Sequence, residues 1–69
     1  MVDIKLYFGD NSRQFYFYEL LDGLMHLREL EFDYIVVDDD LVVKKFEFER
    51  YLRTVNDYCK KVCGYFYEL

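Results

Sequence analysis

The sequence contains no proline, no tryptophan and only three glycines. Collagen-like and linker-rich chains depend on Pro and Gly, so both classes are excluded. Two cysteines are too few for the disulfide framework of a small secreted scaffold. No apolar run exceeds four residues, far short of the roughly 20 that cross a bilayer. The start, Met1-Val2-Asp3-Ile4-Lys5, lacks the basic region and apolar core of a secretory signal, so a cytoplasmic setting is expected. Nucleophile chemistry is equally thin, with one His (His26), one Ser (Ser12) and one Thr (Thr54). A hydrolytic triad needs a nucleophile, a base and an orienting group in one pocket. Neither such a set nor a glycine-rich phosphate loop is visible. An enzyme is therefore not expected, nor any cofactor.

What the chain does have is apolar and acidic. Hydrophobic residues make up 54% of its 69 positions, enough for a folded unit, and a single domain over 1–69 is expected. Fifteen residues are Phe or Tyr, more than so small an interior hides. Some of them must lie at the surface or at a subunit interface, which points to a homodimer. The net charge is −5, unevenly spread: residues 1–40 hold ten acids and three bases, residues 41–69 four acids and six bases. Between 29 and 40 there are six acids and no base. Such a chain does not bind nucleic acid by neutralising phosphates, but its field attracts a basic partner.

The periodicity predicts an α+β fold. Val2, Ile4, Leu6 and Phe8 alternate with Asp3, Lys5 and Tyr7, the pattern of a half-buried strand. Residues 13–30 admit two readings. Phe17, Leu20, Leu21, Leu24 and Leu27 follow helical spacing behind a cap at Asn11 or Ser12, which predicts a helix over about 12–29. Gln14-Phe15-Tyr16-Phe17-Tyr18-Glu19 taken alone reads as an aromatic strand paired with the first. Leu30, Phe32, Tyr34 and Val36 then alternate with Glu31, Asp33, Ile35 and Val37. Asp38-Asp39-Asp40 is a turn signal, and Leu41-Val42-Val43 opens another β-branched run, so a hairpin crosses residues 38–40. From Phe46 a helical stripe runs through Phe48, Leu52, Val55, Cys59, Val62 and Phe66, with Gly64 placed to close it. The expected order is β-α-β-β-α, a three-stranded sheet packed by two helices; the alternative is ββαββα.

Cys59 and Cys63 are four apart on that helix, and a structural zinc site needs four ligands where the chain has only three Cys and His residues in all. Two reduced, buried, metal-free cysteines are expected. The acids carry the functional signal. In an extended segment, alternate residues lie on one face about 6.6 Å apart, so Glu29, Glu31 and Asp33 would form a row. The tip Asp38, Asp39 and Asp40 would extend it, with Asp10 and Asp22 adding to it. That spacing is close to twice the phosphate spacing of a DNA strand, about 3.4 Å. Carboxylates so fixed would stand in for phosphates toward a surface rich in Lys and Arg.

In its size, net negative charge, abundance of Tyr and Phe and absence of a catalytic set, the chain resembles the small host-takeover proteins of lytic phages. Within that group it is similar to the dimeric DNA-mimic inhibitors of the nucleoid protein HU. The resemblance implies a protein that occupies the basic DNA-binding cleft of a host protein and competes with DNA. The six bases after residue 40 depart from a uniformly acidic mimic. The other reading open to the residues is a non-catalytic module that binds a host protein through exposed aromatics.

Overall fold

A computed structural model describes residues 1–69. The element order is β1 (Val2–Phe8), β2 (Asn11–Phe17), α1 (Leu20–Leu27), β3 (Tyr34–Val37), β4 (Leu41–Lys44) and α2 (Lys45–Val62). The strands form one antiparallel sheet in the order β2-β1-β3-β4. The fold is α+β with two helices, as the sequence predicts, but the sheet has four strands and not three. It is the ββαββα arrangement, two ββα units in tandem joined at the sheet centre by β1 and β3.

The extra strand is β2, where the helical spacing predicts the first half of a helix over 12–29. Two local effects decide the matter. Gly9 has φ +59° at the first position of a two-residue loop between paired Phe8 and Asn11, the glycine-first form of a tight hairpin turn. Asn11 therefore starts a strand and caps no helix. Phe15, Tyr16 and Phe17 also favour a pleated surface, and seven consecutive residue pairs join β1 to β2. The helix begins only at Leu20 and is eight residues long.

Alternation in β1 is as expected: Ile4 and Leu6 are buried. In β3 the parity is reversed. Ile35 and Val37 are buried and Tyr34 and Val36 are not, because the strand starts only at Tyr34. Phe32 enters the core from the irregular stretch before it, so its parity does not carry into the strand. Across the pairs Ile4↔Phe15, Ile4↔Val37, Leu6↔Ile35 and Ile35↔Val43, one face of the sheet is the core side. Leu21, Leu24 and Leu27 from α1 and Phe48 and Leu52 from α2 close over it. Each such side chain contributes about 1.5–3 kcal/mol on burial, and the Phe32–Phe48 ring pair (centroids 5.2 Å, 68°) adds an edge-to-face contact.

Gly23 has a packing reason for its place in α1. A Cβ there would lie 2.5 Å from Cδ2 of Phe17, so the bare backbone lets the end of β2 lie against the helix. α2 stops as expected at Gly64, in the left-handed region (φ +73°), whose N–H donates to Cys59 C=O at 2.9 Å. Cys63 is exposed and Cys59 half-buried, both free thiols. The expected burial is thus corrected: after Leu52 the apolar stripe is no longer fully buried, Val55 and Cys59 being half-buried against the edge of the core. Val62 and Phe66 are exposed as well.

The last residues turn back instead of trailing. Asn56, a buried polar residue on α2, donates from Nδ2 to Tyr67 C=O and accepts from Tyr67 N–H, both at 2.8 Å. The amide thus serves Tyr67 as a neighbouring strand would. Tyr65 and Tyr67 hydroxyls both donate to Asp22 Oδ1 on α1, each at 2.5 Å.

Candidate interaction surface

The acids of segment 29–40 do not form one row. Residues 28–33 are irregular, not extended, because Glu29 N–H and Leu30 N–H still follow α1, donating to His26 and Leu27 carbonyls. Glu29 and Glu31 are exposed there. Asp33 is committed to the fold: its Oδ2 accepts from Gly9 N–H at 2.7 Å, and its backbone pairs with Tyr7 and Lys45. It fastens the β1–β2 turn, which also carries exposed Asp10, to the start of β3. Cations stand at this end too. Lys45 lies over the Phe32 ring at 4.1 Å, and Arg28 pairs with Glu49 at 2.8 Å.

Asp38, Asp39 and Asp40 lie at the other end of β3, which separates the two groups by four residues, about 13 Å at the usual strand rise. The hairpin expected across them is present. Asp38 (φ +49°) and Asp39 (φ +65°) are left-handed, a conformation Asp tolerates better than most residues. Asp40 N–H closes the turn onto Val37 C=O at 3.2 Å. Asp38 also reaches across to β1: its N–H donates to Asp3 C=O at 2.7 Å, and its Oδ1 accepts from Asp3 N–H at 3.0 Å. Asp3 in turn accepts from Gln14 Nε2 at 2.6 Å. Asp3, Asp38, Asp39 and Asp40 thus form one acidic corner, and none of them is in an ion pair, the one salt bridge being Arg28–Glu49. The field of Asp38 reaches Tyr51, whose hydroxyl pKa is raised first by burial and then by that carboxylate.

Asp22 stands apart from both groups. The Tyr65 and then the Tyr67 hydroxyl hold its carboxyl below the usual range, against the opposing effect of burial, while the same contact raises the Tyr65 hydroxyl. Of the eight acids picked out in the sequence, Asp39 and Asp40 meet beside Asp38 at the corner. Asp33, Asp38 and Asp22 have structural partners, and Asp10, Glu29 and Glu31 lie elsewhere.

A surface that the acid pattern did not reveal lies on the sheet itself. Both helices pack on one side, so the opposite face is bare. Register places Asp3, Lys5 and Tyr7 of β1 on it with Ser12, Gln14 and Tyr16 of β2, Tyr34 and Val36 of β3, and Val42 and Lys44 of β4. Tyr7 and Tyr34 stack at 4.6 Å and 12° in its centre, and Lys5 Nζ sits 5.6 Å from the Tyr7 ring. Tyr16 is 62% exposed and Val42 51%. The acidic corner borders this face at Asp3. The signal was in the sequence: Tyr7 stands among the polar positions of β1, and a four-residue apolar strand has to turn half its side chains outward.

Groups suited to chemistry are scattered. His26 is exposed, beside the rings of Phe15 and Phe17 at 5.9 Å from each. The Cys59 thiol is pushed up, first by burial and then by Cys63 beside it, which opposes thiolate formation. No group of three or more His, Cys, Asp or Glu is placed to hold a metal ion, and no helix is long and apolar enough to cross a membrane. No family model matches the chain, and neither a curated protein nor a solved structure matches it.

Proposed function

We propose that the protein is a non-catalytic binding module that docks on another protein through the bare face of its sheet. The observation that carries this reading is the Tyr7–Tyr34 stack with Tyr16, Val36 and Val42 around it, on a face that no element of the chain covers. Tyrosine is enriched at protein interfaces because it offers a rigid apolar body with a polar tip. Asp3, Asp38, Asp39 and Asp40 at the rim favour a partner that is basic where it meets them.

A second reading is the DNA-mimic inhibitor of a basic, HU-like nucleoid protein. The acidic corner without ion pairs favours it. Its working residues would be Asp38–Asp40 with Asp3, not an unbroken row from Glu29.

One experiment separates the two: capture from bacterial lysate at rising salt, with the parent and two variants. Asp39→Asn with Asp40→Asn removes two charges while sparing Asp33 and Asp38, whose carboxylates hold backbone N–H groups. Tyr16→Ser with Val42→Ser alters the face at its most exposed positions. Loss of a captured protein in the face variant, with little salt dependence, supports the docking face. Loss in the Asn variant, with steep salt dependence and regained DNA binding by the captured protein, supports the mimic. Unchanged capture by both variants refutes both.

A further inference from the structure

β2 is an outer strand, and it has few of the devices by which sheets guard their edges. These are short length, Pro, a bulge, charged side chains (Lys above all), or a covering helix or loop, and of them β2 has a single charge, Arg13, which lies over the Phe15 ring. β2 has seven residues, none of them Pro or Lys, and pairs with β1 without interruption. The opposite edge is guarded. β4 has four residues, ends at Lys44 and passes directly into α2.

We propose that β2 pairs antiparallel with β2 of a second copy across a two-fold axis at Phe15, joining two four-stranded sheets into one of eight. Because the turn closes on the Phe8–Asn11 pair, ladder alternation turns Asn11, Arg13, Phe15 and Phe17 toward β1. The backbone groups of Ser12, Gln14 and Tyr16 face outward. An axis at Phe15 sets Gln14 opposite Tyr16 of the second copy, and its mate likewise, so the outward groups satisfy one another.

The side chains fit the same axis. Phe15 meets its own copy on the core side. Phe15 and Phe17 are stacked there at 5.9 Å and only half-buried, so the second copy completes their cover. Arg13, the one charge in β2, falls opposite Phe17 and diagonal to Glu19 of the second copy. It already lies over the Phe15 ring at 5.0 Å. Glu19, two residues past the end of β2, has extended φ and ψ (−123°, 134°). Two opposite-charge diagonals and no directly opposed like charges result. The pairing uses the backbone edge of β2, whose Tyr16 also lies on the docking face, and leaves the Tyr7–Tyr34 stack uncovered.

The test is molar mass by sedimentation equilibrium from about 1 to 100 µM, with residue-level amide exchange. The parent is expected to approach twice 8.6 kDa, with the Ser12, Gln14 and Tyr16 amides gaining protection as concentration rises. Gln14→Lys with Tyr16→Lys, at two exposed positions, is expected to give a folded monomer whose amides at 12, 14 and 16 exchange freely. Val42→Lys on β4 is expected to leave the dimer intact. A parent that stays monomeric at 100 µM overturns the proposal. So does a dimer in which those three amides stay unprotected, or one that the β4 variant dissolves and the β2 variant does not.

Discussion

Removing the Asn56 amide isolates the attachment of the C-terminal segment. In Asn56→Ala both hydrogen bonds to Tyr67, each 2.8 Å, disappear together. A hydrogen bond in a folded protein contributes about 0.5–1.5 kcal/mol net, so the pair contributes about 1–3 kcal/mol. A buried backbone group left unpaired would add a further penalty, but the segment can swing into water and avoid it. The cost to docking is therefore that of the two bonds themselves, about 2 kcal/mol, or roughly a thirtyfold fall in the docked-to-released ratio. Chymotrypsin reads this directly, because Tyr65, Phe66 and Tyr67 are its preferred residues and cutting follows the released population when opening is fast. The expected result is cleavage at 65–67 faster by one to two orders of magnitude, with residues 1–62 still folded. A Tyr67 amide as protected from exchange in the variant as in the parent would refute the reasoning.

Two other perturbations are equally direct. Gly23→Ala should destabilise the protein even though Ala is the better helix former. The gain of about 1 kcal/mol in propensity is outweighed by about 1–3 kcal/mol of overpacking, since the new Cβ falls 2.5 Å from the Phe17 ring; a melting temperature at or above the parent's would contradict this. The Asp22 contact should make tail docking depend on pH. The Asp22 carboxyl is depressed from 3.8 by its tyrosine partners, so its contribution is present above 3.8 and lost as pH falls through the folded value. The Tyr65 hydroxyl is raised from 10.0, so its contribution is complete below 10.0 and lost only in stronger alkali. Amide exchange of residues 65–69 should therefore be flat between pH 4 and 10, after correction for intrinsic rates, and should rise below pH 4. Unchanged protection at pH 2 would exclude Asp22 as the anchor.

Local patterns were legible where one force acted alone. β1, the 38–40 hairpin and α2 with its Gly64 stop follow from alternation, turn chemistry and a clean 3.6-residue stripe. Residues 12–19 were not legible in the same way, because helical spacing and aromatic β preference competed there. The winner was a glycine whose role in a two-residue turn appears only once the neighbouring strand is paired. The face of β3 was misread for a related reason. Phe32 is as buried as a strand residue but lies outside the strand, so counting by twos from it inverts the sheet face. That inversion hid Tyr34 and Val36. The acid pattern was visible, yet charge alone does not say which carboxylates hold backbone N–H groups, and Asp33 and Asp38 do. The link from Asn56 to Tyr67 left no periodic trace, since one buried amide on an otherwise apolar stripe looks like an ordinary helix residue.

The tandem of ββα units bears on how the chain is made. Each unit closes on its own through a turn of two or three residues, and the only strand ladder between units is the four-pair match of β1 with β3, from Ile4↔Val37 to Tyr7↔Tyr34. A growing chain can thus form its first hairpin before the second exists, at little loop-closure cost. Until β3 is made, β1 shows an open, apolar edge that the finished molecule never exposes. Synthesis itself sets the order in which the two sides of the first hairpin become occupied. A chain arrested near residue 30 would carry two adhesive edges, where the finished protein keeps only β2 long and unguarded.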